Sequence, residues 1–282
     1  MKIKELNSRN VKTASKFLLL LFTAATFASE KNADESTITK QPIILVHGAW
    51  QGPYVWNQTK ADLEKAGYPV SVVSLPAHGD DTTPAYKVTL QSYVEIVKAA
   101  INSYGEPVIL VGHSLGGAII TQTAAELPGK ISKLIYVAGF IPQSGKSVLD
   151  YSQMDAKSIL GPSIRLSEDQ TQAGIDQPEV NLAKIFAQDA TDKQKDFLVA
   201  HYKAEPTIPM GTPLNYDDSN YKAAGKKYYI FTKADNTISY DFQQKMAADA
   251  GITNTFSIST GHSPFISKSA ELTALLKKIA KK

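Results

Sequence analysis

The chain has 282 residues, of which 43% are hydrophobic and 20% are charged, as in an ordinary globular protein with a large core. It contains no cysteine, which excludes disulfides, thiol nucleophiles and cysteine-ligated metals. Five basic residues and one acid lie in residues 1–28, so the formal net charge of +3 becomes about −1 without them. The rest of the chain therefore gives no indication of nucleic-acid binding.

The N-terminus has the organisation of an export signal. Basic residues precede an apolar run at 17–28 (FLLLLFTAATFA), and a polar tract follows. The run is shorter than the ~20 apolar residues of a membrane-spanning helix, and it ends in a small-x-small cleavage pattern. We predict a signal peptide over residues 1–28 and a flexible lead-in over 29–40. The mature protein would be exported, periplasmic or secreted, and free of the membrane; an uncleaved anchor is the alternative.

Short β-branched runs then alternate with amphipathic stretches. Strands are predicted at 42–46, 70–74, 108–111, 133–137, 227–231 and 255–258. Helices are predicted at 55–66, 90–101, 114–127, 240–250 and 269–279. Continuous apolar strands are typical of a parallel sheet buried on both faces. The alternation predicts one doubly wound α/β domain over residues 41–282, with a mostly parallel sheet.

One segment interrupts this alternation. Residues 143–221 show no clear strand pattern, and two helices are predicted there, at 177–188 and 191–202. Some eighty residues are too many for a simple loop, so we predict a helical cap over the carboxyl edge of the sheet, where open α/β folds bind ligands. Apolar residues of the cap and of two nearby loops would either line a substrate pocket or hold the cap to the sheet: Trp50, Phe140, Ile159, Leu160, Ile185, Phe186, Ile208, Met210 and Leu214.

The sequence GHSLG at 112–116 fits the pattern G-x-S-x-G between a predicted strand and a predicted helix. In that context the glycines permit a sharp turn that exposes Ser114 at the end of the strand as a nucleophile. A plain glycine-rich connection is the structural alternative.

A serine hydroxyl needs a base to remove its proton and an acid to orient that base. In hydrolases with this turn the chain order is serine, acid, histidine. His262 follows the last predicted strand, whereas the other histidines suit structural or surface positions: His47, His78, His113 and His201. Asp235 follows the penultimate strand and is the predicted acid; Asp241 is the alternative, in the first turn of the next helix.

The negative oxygen of the tetrahedral intermediate needs hydrogen-bond donors. The backbone N–H of Leu115, directly after the serine, is one predicted donor. The loop HGAW at 47–50 follows the first strand and ends at the same sheet edge. We therefore predict the Ala49 N–H as the second donor.

Four segments, HGAWQGPYVW, LPAHGDD, VGHSLGGA and TGHSPF, resemble the α/β-hydrolase superfamily, in particular the plant methylesterase and hydroxynitrile lyase group and its bacterial esterase relatives. The resemblance covers nearly all of the chain after residue 40. It implies an α/β-hydrolase fold, a triad of Ser114, Asp235 and His262, and oxyanion donors at Ala49 and Leu115. It also implies a small or hydrophobic carboxylic ester as substrate, an acyl-enzyme intermediate and no cofactor.

Two positions separate the esterases from the lyases of this group. The lyases have a lysine directly after the triad histidine, and well-known ones have a threonine in the first loop; here these positions are Ser263 and Gly48. The methylesterases often have a methionine after the histidine, which this chain also lacks. A serine at 114 argues against the dehalogenases and epoxide hydrolases of the fold, which use an aspartate nucleophile. The alternatives that stay open are a lyase-like enzyme, a lactone hydrolase and a non-catalytic small-molecule-binding protein; the sequence leaves the oligomeric state open.

Overall fold

The computed structural model describes residues 40–282. The predicted signal peptide and the lead-in up to residue 39 lie outside the described residues, so both stay predictions. In the part of the chain that the structure describes, no helix has the length and hydropathy that crossing a bilayer requires.

Nine strands and eleven α-helices follow one another along the described chain. The strands are β1 (Ile43–Val46), β2 (Val70–Val73), β3 (Val108–His113), β4 (Ile131–Val137), β5 (Ile164–Leu166), β6 (Gln172–Ile175), β7 (Glu205–Pro206), β8 (Lys226–Thr232) and β9 (Asn254–Ile258). The helices are α1 (Asn57–Lys65), α2 (Leu90–Asn102), α3 (Leu115–Glu126), α4 (Val148–Met154), α5 (Pro178–Phe186), α6 (Asp192–Ala200), α7 (Thr207–Gly211), α8 (Asp218–Ala223), α9 (Tyr240–Asp249), α10 (Pro264–Ser267) and α11 (Ser269–Ala280). Each predicted strand and helix has an observed counterpart, with ends that differ by two residues at most.

The central sheet has six strands in the order β2-β1-β3-β4-β8-β9, and all of its neighbouring pairs are parallel. The central strands β1 and β3 are buried on both faces, as their apolar sequences predict, whereas the edge strands β2 and β9 are partly exposed. In β1, Ile44 and Val46 pack in the core on the side of α2 and α3, whereas Ile43 and Leu45 pack on the side of α1 and α11. Because the strands are parallel, the loops that follow β1, β3, β8 and β9 meet at one edge of the sheet.

The segment between β4 and β8 carries five helices, α4 to α8, and a small antiparallel sheet in the order β5-β6-β7. Helices α5 and α6 lie inside the two predicted helical ranges. The three strands of this segment had no clear pattern in the sequence. These strands have two to four residues each, and β6 pairs with β7 some thirty residues further along the chain. A local periodicity cannot reveal such a pairing.

Candidate active site

Ser114 lies on a sharp turn between β3 and α3. Its backbone angles, φ 53° and ψ −122°, are unusual for a residue with a side chain. Glycines make the turn possible, because a Cβ on Gly112 would lie 2.5 Å from the carbonyl oxygen of Gly116. Two hydrogen bonds to residues outside the turn hold it in place. The Ser114 N–H donates to Val137 O, and the Ser114 carbonyl accepts from the Phe140 N–H. The geometry fits a nucleophile elbow.

Asp235 and His262 meet in the loops after β8 and β9. His262 Nδ1 lies 2.8 Å from Asp235 Oδ2, and both side chains are buried. The carboxylate is held in place by donors on both of its oxygens. Oδ1 accepts the backbone N–H groups of Thr237 and Ile238, and Oδ2 also accepts from Thr232 Oγ1 at 2.7 Å. An acid held in this way fixes the histidine in the tautomer that carries its proton on Nδ1.

His262 Nε2 is buried and has no hydrogen-bond partner within residues 40–282. In particular, the structure contains no hydrogen bond between His262 and Ser114. Nε2 is thus an unsatisfied acceptor, as a general base needs, and catalytic hydrogen bonds of this kind often tighten only when substrate binds.

The loop that carries His262 is held by hydrogen bonds that the sequence did not predict. His113 Nε2 bonds the carbonyl of His262 at 2.9 Å, and the two rings lie 4.5 Å apart. From the cap, Asp189 Oδ2 accepts from Thr260 and Ser267. The contact of His113 with the His262 carbonyl is a structural role, as the sequence analysis expected of the histidines other than His262.

The two predicted oxyanion donors lie at the start of α3 and in the loop after β1. The N–H groups of Leu115 and Ala49 donate to no acceptor within residues 40–282. The loop after β1 lies close to the nucleophile, because a Cβ on Gly48 would be 2.8 Å from Ser114 Cβ. The assignment of Ala49 and Leu115 as oxyanion donors stays a prediction, and both N–H groups are without an acceptor in the described chain, as that role needs.

The competing candidates lie elsewhere. Asp241 is exposed in the first turn of α9 and pairs with Lys157, so it lacks the burial of an acid that orients a histidine. His201 is exposed at the end of α6. Burial, together with the neighbouring His78, lowers the pKa of His47 to about 3. Neutral His47 accepts the Leu75 N–H at Nε2, which is a structural role.

The apolar residues proposed for the pocket divide into three groups. Phe186 packs against both His262 and Trp50, with ring centroids 5.9 and 5.6 Å apart. Ile208 is 40% exposed and is not part of the hydrophobic core. The others are buried or partly buried in the core cluster that joins the cap to the sheet: Phe140, Ile159, Leu160, Ile185, Met210 and Leu214.

The close packing of the first loop on the nucleophile gives a testable prediction. We expect Gly48→Ala to lower kcat about 100-fold, because the added Cβ would lie within 3 Å of Ser114 Cβ and His113 Nδ1 and would displace a donor loop. Steady-state rates with a chromogenic ester measure the effect. Gly105→Ala is the matched control, since its Cβ would meet nothing within 4 Å. Equal rates for both variants would contradict the placement of the loop.

Comparison with known proteins identifies the family. The model of the alpha/beta hydrolase family matches residues 43–275, and the chain belongs to that family. Within it, the chain is 30% identical over 228 residues to methylesterase 2 of Arabidopsis thaliana, covering 73% of this chain and 83% of that protein. It is 38% identical over 111 residues to a carbendazim hydrolyzing esterase of Nocardioides, covering 38% of this chain and 45% of that one. These relatives place the chain among the carboxylic ester hydrolases.

The solved structures agree on the fold. The crystal structure of polyneuridine aldehyde esterase superposes with a TM-score of 0.76 at 22% identity, covering 86% of this chain and 99% of that chain. The expected α/β-hydrolase fold is confirmed.

Some relatives are longer than this chain. The chain is 28% identical over 248 residues, 84% of its length, to a chloroplastic protein of the methylesterase group from Arabidopsis thaliana. It spans 63% of the length of that protein.

Proposed function

We propose that the protein hydrolyses small or hydrophobic carboxylic esters through an acyl-enzyme on Ser114. The observation that carries the proposal is the state of His262: Nδ1 is bonded to a buried, fully engaged carboxylate, and Nε2 is buried without a partner in the described chain. A histidine held in this way can take a proton from a neighbouring serine and return it to a leaving group.

The proposed reaction uses these residues in two half-reactions. Ser114 Oγ attacks the ester carbonyl carbon while its proton passes to His262 Nε2, and the carbonyl oxygen becomes an oxyanion that the Ala49 and Leu115 N–H groups bind. His262 then protonates the departing alkoxide, leaving an acyl group on Oγ. Water attacks this acyl group with His262 again acting as base, and the carboxylic acid and free Ser114 are released. Asp235 stabilises the imidazolium in both halves of the cycle.

The position after the histidine argues against lyase chemistry. Ser263 is fully buried, and its hydroxyl accepts a hydrogen bond from Gln51 Nε2 at 3.0 Å. Both side chains are neutral, so this position supplies no cation to stabilise a departing cyanide. The apolar contacts of Phe186 and Trp50 beside His262 favour a hydrophobic ester.

A panel of p-nitrophenyl esters, methyl esters, lactones and mandelonitrile tests the proposal. We expect ester hydrolysis to exceed release of cyanide from mandelonitrile by at least 100-fold in kcat/KM. Varying the acyl and alcohol parts separately identifies the preferred substrate. Preferential cleavage of mandelonitrile would instead support a lyase, and binding without turnover of any ester or lactone would support a non-catalytic binding protein.

A further inference from the structure

Trp50, which directly follows the proposed oxyanion donor Ala49, has a left-handed backbone with φ 58°. A bulky residue rarely adopts this conformation unless its surroundings impose it. The cap does so through three hydrogen bonds. The Trp50 N–H donates to Glu205 Oε2 at 3.2 Å, its indole N–H donates to Ala173 O at 2.7 Å, and its carbonyl accepts from the Lys203 N–H. The cap therefore sets the conformation of the oxyanion loop.

Glu205, in strand β7, is the charged member of this contact. Its side chain is completely buried. Oε2 lies 2.7 Å from His78 Nε2 in addition to accepting the Trp50 N–H. Oε1 accepts the Tyr93 hydroxyl proton at 3.1 Å. Both oxygens are thus engaged, as a buried carboxylate requires.

His78 supplies the opposite charge. Its Nδ1 lies 3.0 Å from Pro76 O, which can only accept, so Nδ1 carries a proton. Burial disfavours the charged imidazolium, but the Glu205 carboxylate outweighs this and raises the pKa of His78. His78 and Glu205 thus form a buried, hydrogen-bonded pair, and a pair of this kind is weak evidence for stability.

We propose that Glu205 is a positioning residue for the oxyanion loop. Paired with His78, it fixes the Trp50 N–H and thereby the direction of the Ala49 N–H. The inference rests on the proposed ester hydrolysis. Because the oxyanion exists only in the transition state and the intermediate, loss of this contact lowers kcat and leaves KM nearly unchanged.

The test compares Glu205→Ala with Tyr93→Phe. The first removes the acceptor of the Trp50 N–H, whereas the second removes a hydrogen bond to the other oxygen of the same carboxylate. With p-nitrophenyl acetate we expect kcat to fall about 100-fold in Glu205→Ala, with KM within threefold of wild type. Tyr93→Phe should keep kcat within threefold. In ¹⁵N-labelled protein, the Trp50 amide should exchange with solvent at least tenfold faster in Glu205→Ala than in wild type or Tyr93→Phe.

A folded Glu205→Ala variant with wild-type kcat and wild-type exchange at Trp50 would overturn the inference, and so would equal losses in the two variants. The variant Glu205→Ala leaves His78 buried without its partner, which can prevent folding. In that case the double variant Glu205→Met/His78→Leu replaces both members of the pair with apolar side chains. It must show the same fall in kcat and the same faster exchange at Trp50. If the wild-type protein hydrolyses no ester, the proposed function is refuted instead. The exchange rate of the Trp50 amide in the variants then tests, without any activity assay, whether Glu205 positions the loop.

Discussion

Replacing Ser114 by alanine is expected to lower kcat for p-nitrophenyl acetate by about 10⁶-fold, the scale on which a serine hydrolase loses activity without its nucleophile. The elbow places this side chain at the end of β3, beside the loop after β1. Alanine removes the attacking oxygen and leaves the backbone turn in place. Initial rates of p-nitrophenolate release, corrected for hydrolysis in buffer, measure the loss.

The matched control is Ser103→Ala, which removes an exposed serine hydroxyl at the end of α2. It should hydrolyse the ester at the wild-type rate. Retention of more than about 1% of wild-type kcat in Ser114→Ala would show that another group attacks the ester.

Replacing Asp235 by asparagine is expected to lower kcat about 10⁴-fold while the protein stays folded. Oδ1 accepts two backbone N–H groups, from Thr237 and Ile238, so the asparagine oxygen will occupy that position. The amide nitrogen then faces His262 Nδ1 and donates to it. This forces the imidazole proton onto Nε2, the atom that must accept the proton of Ser114.

Asp241→Asn is the control for this change, because Asp241 was the other candidate acid and lies exposed on α9. It should leave kcat within twofold of wild type. Thermal unfolding of both variants separates a catalytic effect from a folding defect. A large loss in Asp241→Asn with little loss in Asp235→Asn would reverse the assignment of the acid.

The sequence was informative where local pattern decides structure. Apolar runs located the six strands of the central sheet. Glycines at 112 and 116 located the turn, since neither can carry a side chain against the backbone it touches. Chain order located Asp235 and His262, and in the structure His262 Nδ1 lies 2.8 Å from Asp235 Oδ2. Parallel strands bring their carboxyl ends together, so residues far apart in the chain could be placed at one edge.

The parts that escaped prediction depend on contacts between distant segments. Glu205 looks like any cap glutamate in the sequence, yet it is buried against Trp50 and His78. Strand β7 contains only two residues, and its pairing with β6 has no local signature. Similarly, Asp189 reaches Thr260 across 71 residues of chain. Such pairs are visible only after the cap has folded onto the sheet.

Covalent labelling with diethyl p-nitrophenyl phosphate tests the proposed nucleophile most directly. A serine oxygen attacks phosphorus, p-nitrophenolate leaves, and a diethyl phosphoryl group stays on the attacking oxygen. Intact-protein and peptide mass spectrometry should find one such group per chain, on Ser114, formed at least 100-fold more slowly in Asp235→Asn. Labelling at another residue, such as Ser263, or an equal rate of labelling in both proteins would contradict the proposed mechanism.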